Sequence, residues 1–342
     1  MRVFVVGDYR TGTGPANVTK EYLLRLPDNT KRLIFSSKLL RAVEIILKMP
    51  FADIVLVSGY SKQNLLALKW AGRLGKPGVY LMHGCVEHEN SINECIDEVM
   101  NSVERQTMKL STAIFAVSTQ FAGWLKTYYP EYSHKIDAAV NGVDTKLLEN
   151  MSAFNTVGNR DKNMILTIGG GMPRKKIKHI CEAVAILNAR EGGRKYRLVV
   201  IGDRGKDDDI INSYPFVENH GLVDAAIARS LYKEAGLFVQ NSCFETFGLA
   251  PMEALVNGCS VLMSKEIGAL ELFRGIEDRD VIRNFYDASE IAGKIDALIQ
   301  EGNALRLIRS FDKESASWEA RTMQLWQKLA GLLEAKGAAA GK

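Results

Sequence analysis

Short runs of uniformly apolar residues alternate with stretches of helical periodicity, and nothing else in the chain limits its fold so strongly. The runs are RVFVVG (2–7), RLIFS (32–36), DIVLVSG (53–59), GVYLMHG (78–84) and AIFAVS (113–118) in the first half. In the second half they are MILTIGG (164–170), YRLVVIGD (196–203), GLFVQNS (236–242) and SVLMS (260–264). Apolar residues at every position, rather than every second one, are what strands covered on both faces require. The intervening stretches, such as Leu39, Leu40, Val43, Ile46, Leu47 and Ile180, Ala183, Val184, Leu187, repeat at three and four as helices do. Strand, helix, strand, repeated, predicts an α/β fold with doubly wound parallel sheets, and the series occurs twice. The polar stretch over 150–162 separates the two series and predicts a domain boundary.

A chain of 342 residues is long enough for two separate cores, and 46% hydrophobic with 25% charged residues is ordinary for a soluble globular protein. No apolar run approaches the ~20 residues that span a bilayer, and the opening MRVFVVGDYR reads directly as a strand rather than as a signal peptide. Five cysteines with no CxxC pair argue against a disulfide framework or structural zinc. These features predict a reduced, cytoplasmic protein. The last residues, 336–342, read as a disordered tail.

Two glycine-rich corners follow strands. GDYRTGTGPAN (7–17) opens a helix with Pro15 in its first turn. It fails as a dinucleotide fingerprint: after Gly12 and Gly14 the third glycine position holds Asn17, and the second strand ends in Ser36-Ser37 rather than an acid. What remains is a turn that lets a ligand approach the backbone, or a plain tight turn. TIGGGMPRKKIKHI (167–180) repeats the arrangement with Arg174, Lys175 and Lys176 at the helix start. Cations there oppose the helix dipole, and an anionic partner such as a diphosphate would remove the conflict. A solvated basic surface is the competing account.

SCFETFGLAPMEALVNGCSV (242–261) places Glu245 in a loop at the carboxyl end of a strand. It predicts a helix over about 249–257, with Pro251 and Glu253 in its first turn and Gly258 as its stop. Ligands bind at that edge of open parallel sheets. A carboxylate can accept two hydrogen bonds from a ribose diol, and a second suits sugar hydroxyls. The N–H groups of Phe247, Gly248 and Leu249 are expected to face the same space.

This stretch resembles the E-x7-E element of retaining glycosyltransferases with the GT-B fold, in particular glycosyltransferase family 4. The resemblance extends to His83 in LMHG, VNGVD (140–144), PRKK, VIGD (200–203), NHGLV (219–223) and IGALE ending at Glu271. It implies two facing Rossmann-like domains with an interdomain cleft. Residues 1–152 plus a returning helix over 317–335 would form the acceptor-side domain, and 160–314 the nucleotide-sugar domain. It further implies that Glu245 contacts the transferred sugar, Glu253 holds the ribose, and Lys175 binds the diphosphate. By the same resemblance His83 faces the reaction centre, and Asp203 and Leu222 border the base. The donor would be a nucleotide-sugar, with UDP favoured, and transfer would proceed with retention of configuration. The acceptor would be a glycan or lipid-linked glycoconjugate.

Two positions depart from the family pattern. Gly170 stands where an arginine usually binds the diphosphate, leaving Arg174 as the available substitute, and Cys259-Ser260 replace Thr-Pro. Asp207-Asp208-Asp209 and Asp278-Arg279-Asp280 superficially suggest a metal site. Both lie in polar loops away from the phosphate elements, so no metal and no cofactor are expected.

Residues 31–76 carry nine Lys or Arg against Glu44 and Asp53, whereas the whole chain is only +4. Such a face fits either a solvated helix surface or the anionic inner face of the cytoplasmic membrane. Nucleic acid is disfavoured because aromatic residues do not interleave the cations. Two rival functions share the same motifs: a nucleotide-sugar epimerase and a non-catalytic nucleotide-sugar binding protein.

Overall fold

The computed structural model describes residues 1–145 and 160–340, so most of the polar stretch read as a domain boundary lies outside the described residues. The chain divides into two compact units: Met1–His88, Ile96–Val143 and Glu314–Lys342 form one, and Glu89–Cys95 with Asp144–Lys313 the other.

The first unit is built on strands β1 (Val3–Val6), β2 (Lys31–Arg32), β3 (Ile54–Ser58), β4 (Gly78–Met82), β5 (Ala113–Ala116) and β6 (Ile136–Ala138). All are parallel, in the order β2-β1-β3-β4-β5-β6. Helices α1 (Gly14–Arg25), α2 (Lys38–Lys48), α3 (Lys62–Arg73), α4 (Val86–Ile92), α5 (Glu98–Leu110) and α6 (Thr119–Tyr128) follow the strands, α4 from Glu89 onward belonging to the second unit. Every residue of β1, β3, β4 and β5 is buried, which is why these strands read as unbroken apolar runs.

The second unit repeats the plan. Its strands are β7 (Asp161–Ile168), β8 (Arg197–Ile201), β9 (Val217–Gly221), β10 (Ala235–Gln240), β11 (Ser260–Ser264) and β12 (Val281–Ile282). They are again parallel, in the order β12-β11-β10-β7-β8-β9. The helices are α7 (Ile177–Asn188), α8 (Asp208–Asn212), α9 (Ala225–Glu234), α10 (Leu249–Val256), α11 (Ala288–Glu301) and α12 (Ala304–Ser310), after which α13 (Lys313–Ala316) returns the chain to the first unit from Glu314. Ile177, Ile180, Val184 and Leu187 of α7 pack with Ile291, Ile295 and Leu298 of α11 over Ile165, Leu198, Leu237 and Leu262 of the sheet.

The last helix, α14 (Trp318–Ala340), belongs to the first unit. Its Trp318 meets Tyr22 of α1 edge-to-face with centroids 5.4 Å apart, and the Val143 N–H donates to the Ala316 carbonyl at 2.9 Å. Residues 336–340, read as disordered tail, continue this helix, as an alanine-rich stretch readily does.

Three strands escape the sequence reading, β6, β9 and β12, and the expected strand over 32–36 reduces to Lys31–Arg32. All four are at a sheet edge. Edge strands need no covering on both faces, so VENHG of β9 carries exposed polar side chains and shows no apolar run.

Candidate active site

Strand order places the site. In the second sheet the chain runs outward from β7 to β9, then crosses to β10 on the other side of β7. The loops leaving β7 and β10 therefore diverge at the point where order reverses, the usual ligand crevice of such sheets. Lys175 is on the first loop and Glu245 on the second.

After β7 the chain passes Gly169, Gly170 and Gly171 into a single 3₁₀ turn (Pro173–Lys175), and α7 begins at Ile177. Lys176, in the left-handed region at φ 50°, is the cap residue. Gly170 has φ +54°, and a Cβ there would lie 1.9 Å from the Asp203 carbonyl oxygen. The glycine thus lets the loop close against the end of β8, where the Gly171 N–H donates to that same carbonyl at 3.1 Å. This is the physical reason no arginine stands at this position.

The Lys175 ammonium lies 2.5 Å from Oε2 of Glu245. The same oxygen accepts from Nε2 of Gln240 at 2.7 Å and lies 3.8 Å from the Arg174 guanidinium. Burial alone would push the Glu245 carboxyl up, but Lys175 and Arg174 hold it below its ordinary value, so it is ionised. Burial draws the Lys175 ammonium below the usual lysine value, with Glu245 opposing. Arg174 is shared: its guanidinium lies 3.5 Å from Glu89, and its backbone N–H donates to the Asn93 side chain at 3.1 Å. Sequence reasoning missed Gln240, Glu89 and Asn93. Gln240 was detectable as a polar residue ending an apolar run.

Glu253 sits in α10, which begins at Leu249 after Gly248 (φ +93°). A side chain at residue 248 would collide with Ile267, its Cβ 2.7 Å from Cγ2. Glu253 is the fifth residue of the helix and so lies just past the first turn where it was expected, although the helix starts at Leu249 as expected. Its Oε2 accepts from the Tyr232 hydroxyl at 3.2 Å. The residue reaches solvent while its carboxyl is recessed, and this burial raises its pKa against the pull of Tyr232 and Arg229. Phe247 is buried and its carbonyl accepts from the Ala269 N–H at 2.7 Å, tying the loop to the IGALE turn. Leu249, half-buried, opens the helix. Asp203 is exposed, its carboxylate accepting from the Arg204 N–H at 2.8 Å, and Leu222 is exposed at 75%.

In the first unit His83 leaves the end of β4. Its Nε2 shares a hydrogen bond with the Ser58 hydroxyl at 2.8 Å, and Ser58 in turn meets Thr19 at 2.7 Å. Burial pulls the imidazole down to about 4, so it is neutral near pH 7. Gly12 (φ +76°) and Gly14 lie in an exposed corner capped by Thr13, with open space around Gly12. His83 and these glycines belong to the first unit, the Lys175–Glu245 pair and Glu253 to the second.

The acidic triplets serve their own loops. Asp208 accepts from the Gly205 N–H at 3.1 Å, and buried Asp280 accepts from Arg306 at 2.6 Å and from the Glu277 N–H at 2.8 Å. Among the described residues no cluster of three or more His, Cys, Asp or Glu could hold a metal ion.

Two parallel sheets, each with a switch point, and a cationic corner paired with a loop carboxylate define a GT-B glycosyltransferase. The sequence profile of "Glycosyl transferases group 1" matches residues 152–315, and that of "Glycosyltransferase Family 4" matches residues 2–147. The chain belongs to these glycosyltransferases. No curated protein sequence matches it. Among solved structures it is similar to HepE from Anabaena in complex with UDP and glucose (TM-score 0.70, 15% identity, 97% of this chain and 100% of that one). It is also similar to sucrose-phosphate synthase from Thermosynechococcus elongatus (TM-score 0.67, 16% identity, 98% and 100%). A third similar structure is the catalytic domain of starch synthase IV from Arabidopsis thaliana bound to ADP and acarbose (TM-score 0.67, 12% identity, 97% and 99%). At these identities the likeness is one of fold.

Proposed function

We propose that the enzyme transfers a sugar from a nucleotide-sugar, with UDP as the base-bearing diphosphate, to a glycan or lipid-linked acceptor, with retention at the anomeric carbon. One observation carries this reading: the Lys175–Glu245 pair at the switch point of the second sheet, 2.5 Å apart and shielded from solvent. UDP is supported by the HepE structures, which hold UDP or UDP-glucose.

In this reading Lys175 and Arg174 receive the diphosphate as the C1–O bond breaks and negative charge grows on the leaving group. Glu245, released from Lys175, accepts hydrogen bonds from the sugar hydroxyls. Glu253 takes the ribose diol. The acceptor oxygen bonds to C1 from the face the diphosphate leaves, and the acceptor proton passes to a leaving phosphate oxygen. His83 serves the donor sugar as a neutral imidazole. The lysine and the arginine supply the positive charge, so no metal is needed. The acceptor side would face an anionic membrane surface through the basic 31–76 segment.

Calorimetric titration with UDP-, GDP- and ADP-sugars, followed by transfer to labelled acceptors, tests the reading. Binding of UDP-sugars with turnover is the expected result. Isomerisation of the donor, or binding without turnover, would overturn it.

A further inference from the structure

Helix α2 is inside out. Its charged Glu44 is turned inward, 4% exposed, whereas Leu39 (74%) and Leu47 (64%) stand in solvent with Leu40, Val43 and Ile46. Positions 39, 43, 46 and 47 follow the spacing of a single helix face, and 40 borders it. Ile34 and Phe35 before the helix and Phe51 after it extend the exposed apolar surface. Monomeric soluble proteins seldom leave so many large apolar side chains contiguous and open.

The orientation is anchored. The Glu44 carboxylate accepts from the backbone N–H groups of Ile34 (2.8 Å) and Phe35 (3.2 Å) and is ion-paired with Lys48. Ile45 beside it is fully buried. Turning the helix over would strip this carboxylate of its donors and leave the two N–H groups unsatisfied. The apolar face is therefore presented outward by construction.

We propose that this face is a membrane dock, α2 lying in the plane of an anionic bilayer with Leu39, Val43, Ile46 and Leu47 in the acyl boundary and Ile34, Phe35 and Phe51 beside them. The helix spans only Lys38–Lys48, far short of a bilayer's width, so it lies on the membrane rather than crossing it. Charge identifies the occupant. Lys31 sits over the Phe51 ring at 4.6 Å, Arg10 donates to the Ile34 carbonyl, and Arg32 and Lys38 are exposed. From residue 31 to 51 the acid is Glu44, which is buried and paired. A second copy docked on this face about a two-fold axis would set these cations against their own images, whereas phosphatidylglycerol headgroups neutralise them. Of the nine cations in 31–76, Arg41, Lys48 and Lys76 are taken up by contacts within the chain, Arg41 with the carbonyl of Gly7 and Lys76 with the carbonyls of Pro50 and Ala52. Apolar insertion thus adds what charge alone would not hold. The inference rests on the proposed membrane-facing side only for its partner, and it is independent of the donor.

The test is co-sedimentation of the full chain with vesicles of phosphatidylcholine plus phosphatidylglycerol and of phosphatidylcholine alone, at low and high salt. A Leu47→Trp variant is read against acyl-brominated lipid, and circular dichroism verifies that each variant is folded. The expected results are binding to the anionic vesicles that persists in part at high salt, and quenching of the new tryptophan. Leu39→Glu/Leu47→Glu should lose binding about tenfold or more while UDP affinity stays unchanged. Complete release by salt without quenching would mean charge attraction only and would overturn insertion. Absence of binding to any vesicle would overturn both insertion and the membrane-facing reading. Self-association that Leu39→Glu/Leu47→Glu abolishes, without vesicle binding, would assign the face to a second copy.

Discussion

The Lys175 ammonium and the Glu245 carboxylate lie 2.5 Å apart although 70 residues separate them in sequence. Without a donor, each neutralises the other in a place shielded from water, and Arg174 adds a second cation 3.8 Å from the same oxygen. A buried pair that loses one member leaves a charge uncompensated. Lys175→Met should therefore abolish transfer and also destabilise the fold by about 3 kcal/mol, whereas Lys175→Met/Glu245→Gln should recover most of the stability and none of the activity. Urea unfolding of the four members of the cycle measures the coupling. Additive losses would show that the pair does not interact.

The two glutamates should separate by ligand fragment. Glu253→Ala should weaken the nucleotide-sugar and the free nucleoside diphosphate alike, by about 1.5–3 kcal/mol for a lost charged hydrogen bond. Glu245→Ala should lower transfer without weakening nucleoside diphosphate binding, because it removes the carboxylate that competes with the diphosphate for Lys175. Calorimetry of both variants with bare UDP decides this. Equal losses of UDP affinity would refute the assignment.

Stability should depend on His83 in acid. Its folded value of about 4 lies below the ordinary 6.5, so the folded protein favours the neutral ring and the unfolded chain takes up the proton first. The contribution is whole above about pH 6.5 and lost as pH falls towards 4, amounting at most to something on the order of 3 kcal/mol. In urea melts at pH 7.5 and pH 5, His83→Gln should show a smaller acid loss than the wild type. Parallel acid losses in the two proteins would contradict the lowered value of the ring.

Chelation should leave turnover nearly unchanged, since Lys175 and Arg174 carry the positive charge in the proposed reaction. Turnover that disappears with EDTA and returns with Mg²⁺ or Mn²⁺ would overturn that account and redirect attention to the acidic loops.

Gly170→Ala should cost about 2 kcal/mol or more, because its Cβ would meet the Asp203 carbonyl oxygen at 1.9 Å in a left-handed backbone. Gly12→Ala, with φ +76° but open space around it, should cost only about 1–2 kcal/mol for the backbone conformation. Chemical denaturation of the two variants compares crowding with conformation directly. A Gly170→Ala protein as stable as the wild type would show that the loop yields and that an arginine could stand there.

What the sequence determined by itself is the central framework and the identity of the key side chains. Central strands such as β3 and β10 are covered on both faces, so burial writes itself into consecutive residues. Edge strands such as β9 escape that requirement and left no trace. Glu245, Glu253, Lys175 and His83 could be singled out because loop and strand-end chemistry is local. Most of their partners were not legible: Tyr232 beside Glu253 and Ser58 beside His83 are brought together by tertiary packing rather than by spacing. Helix α2 marks the limit most clearly. Its periodicity announced an apolar face, but periodicity is unchanged by rotating a helix about its axis. Only the contact of Glu44 with the N–H groups of Ile34 and Phe35 decided that the apolar face turns outward.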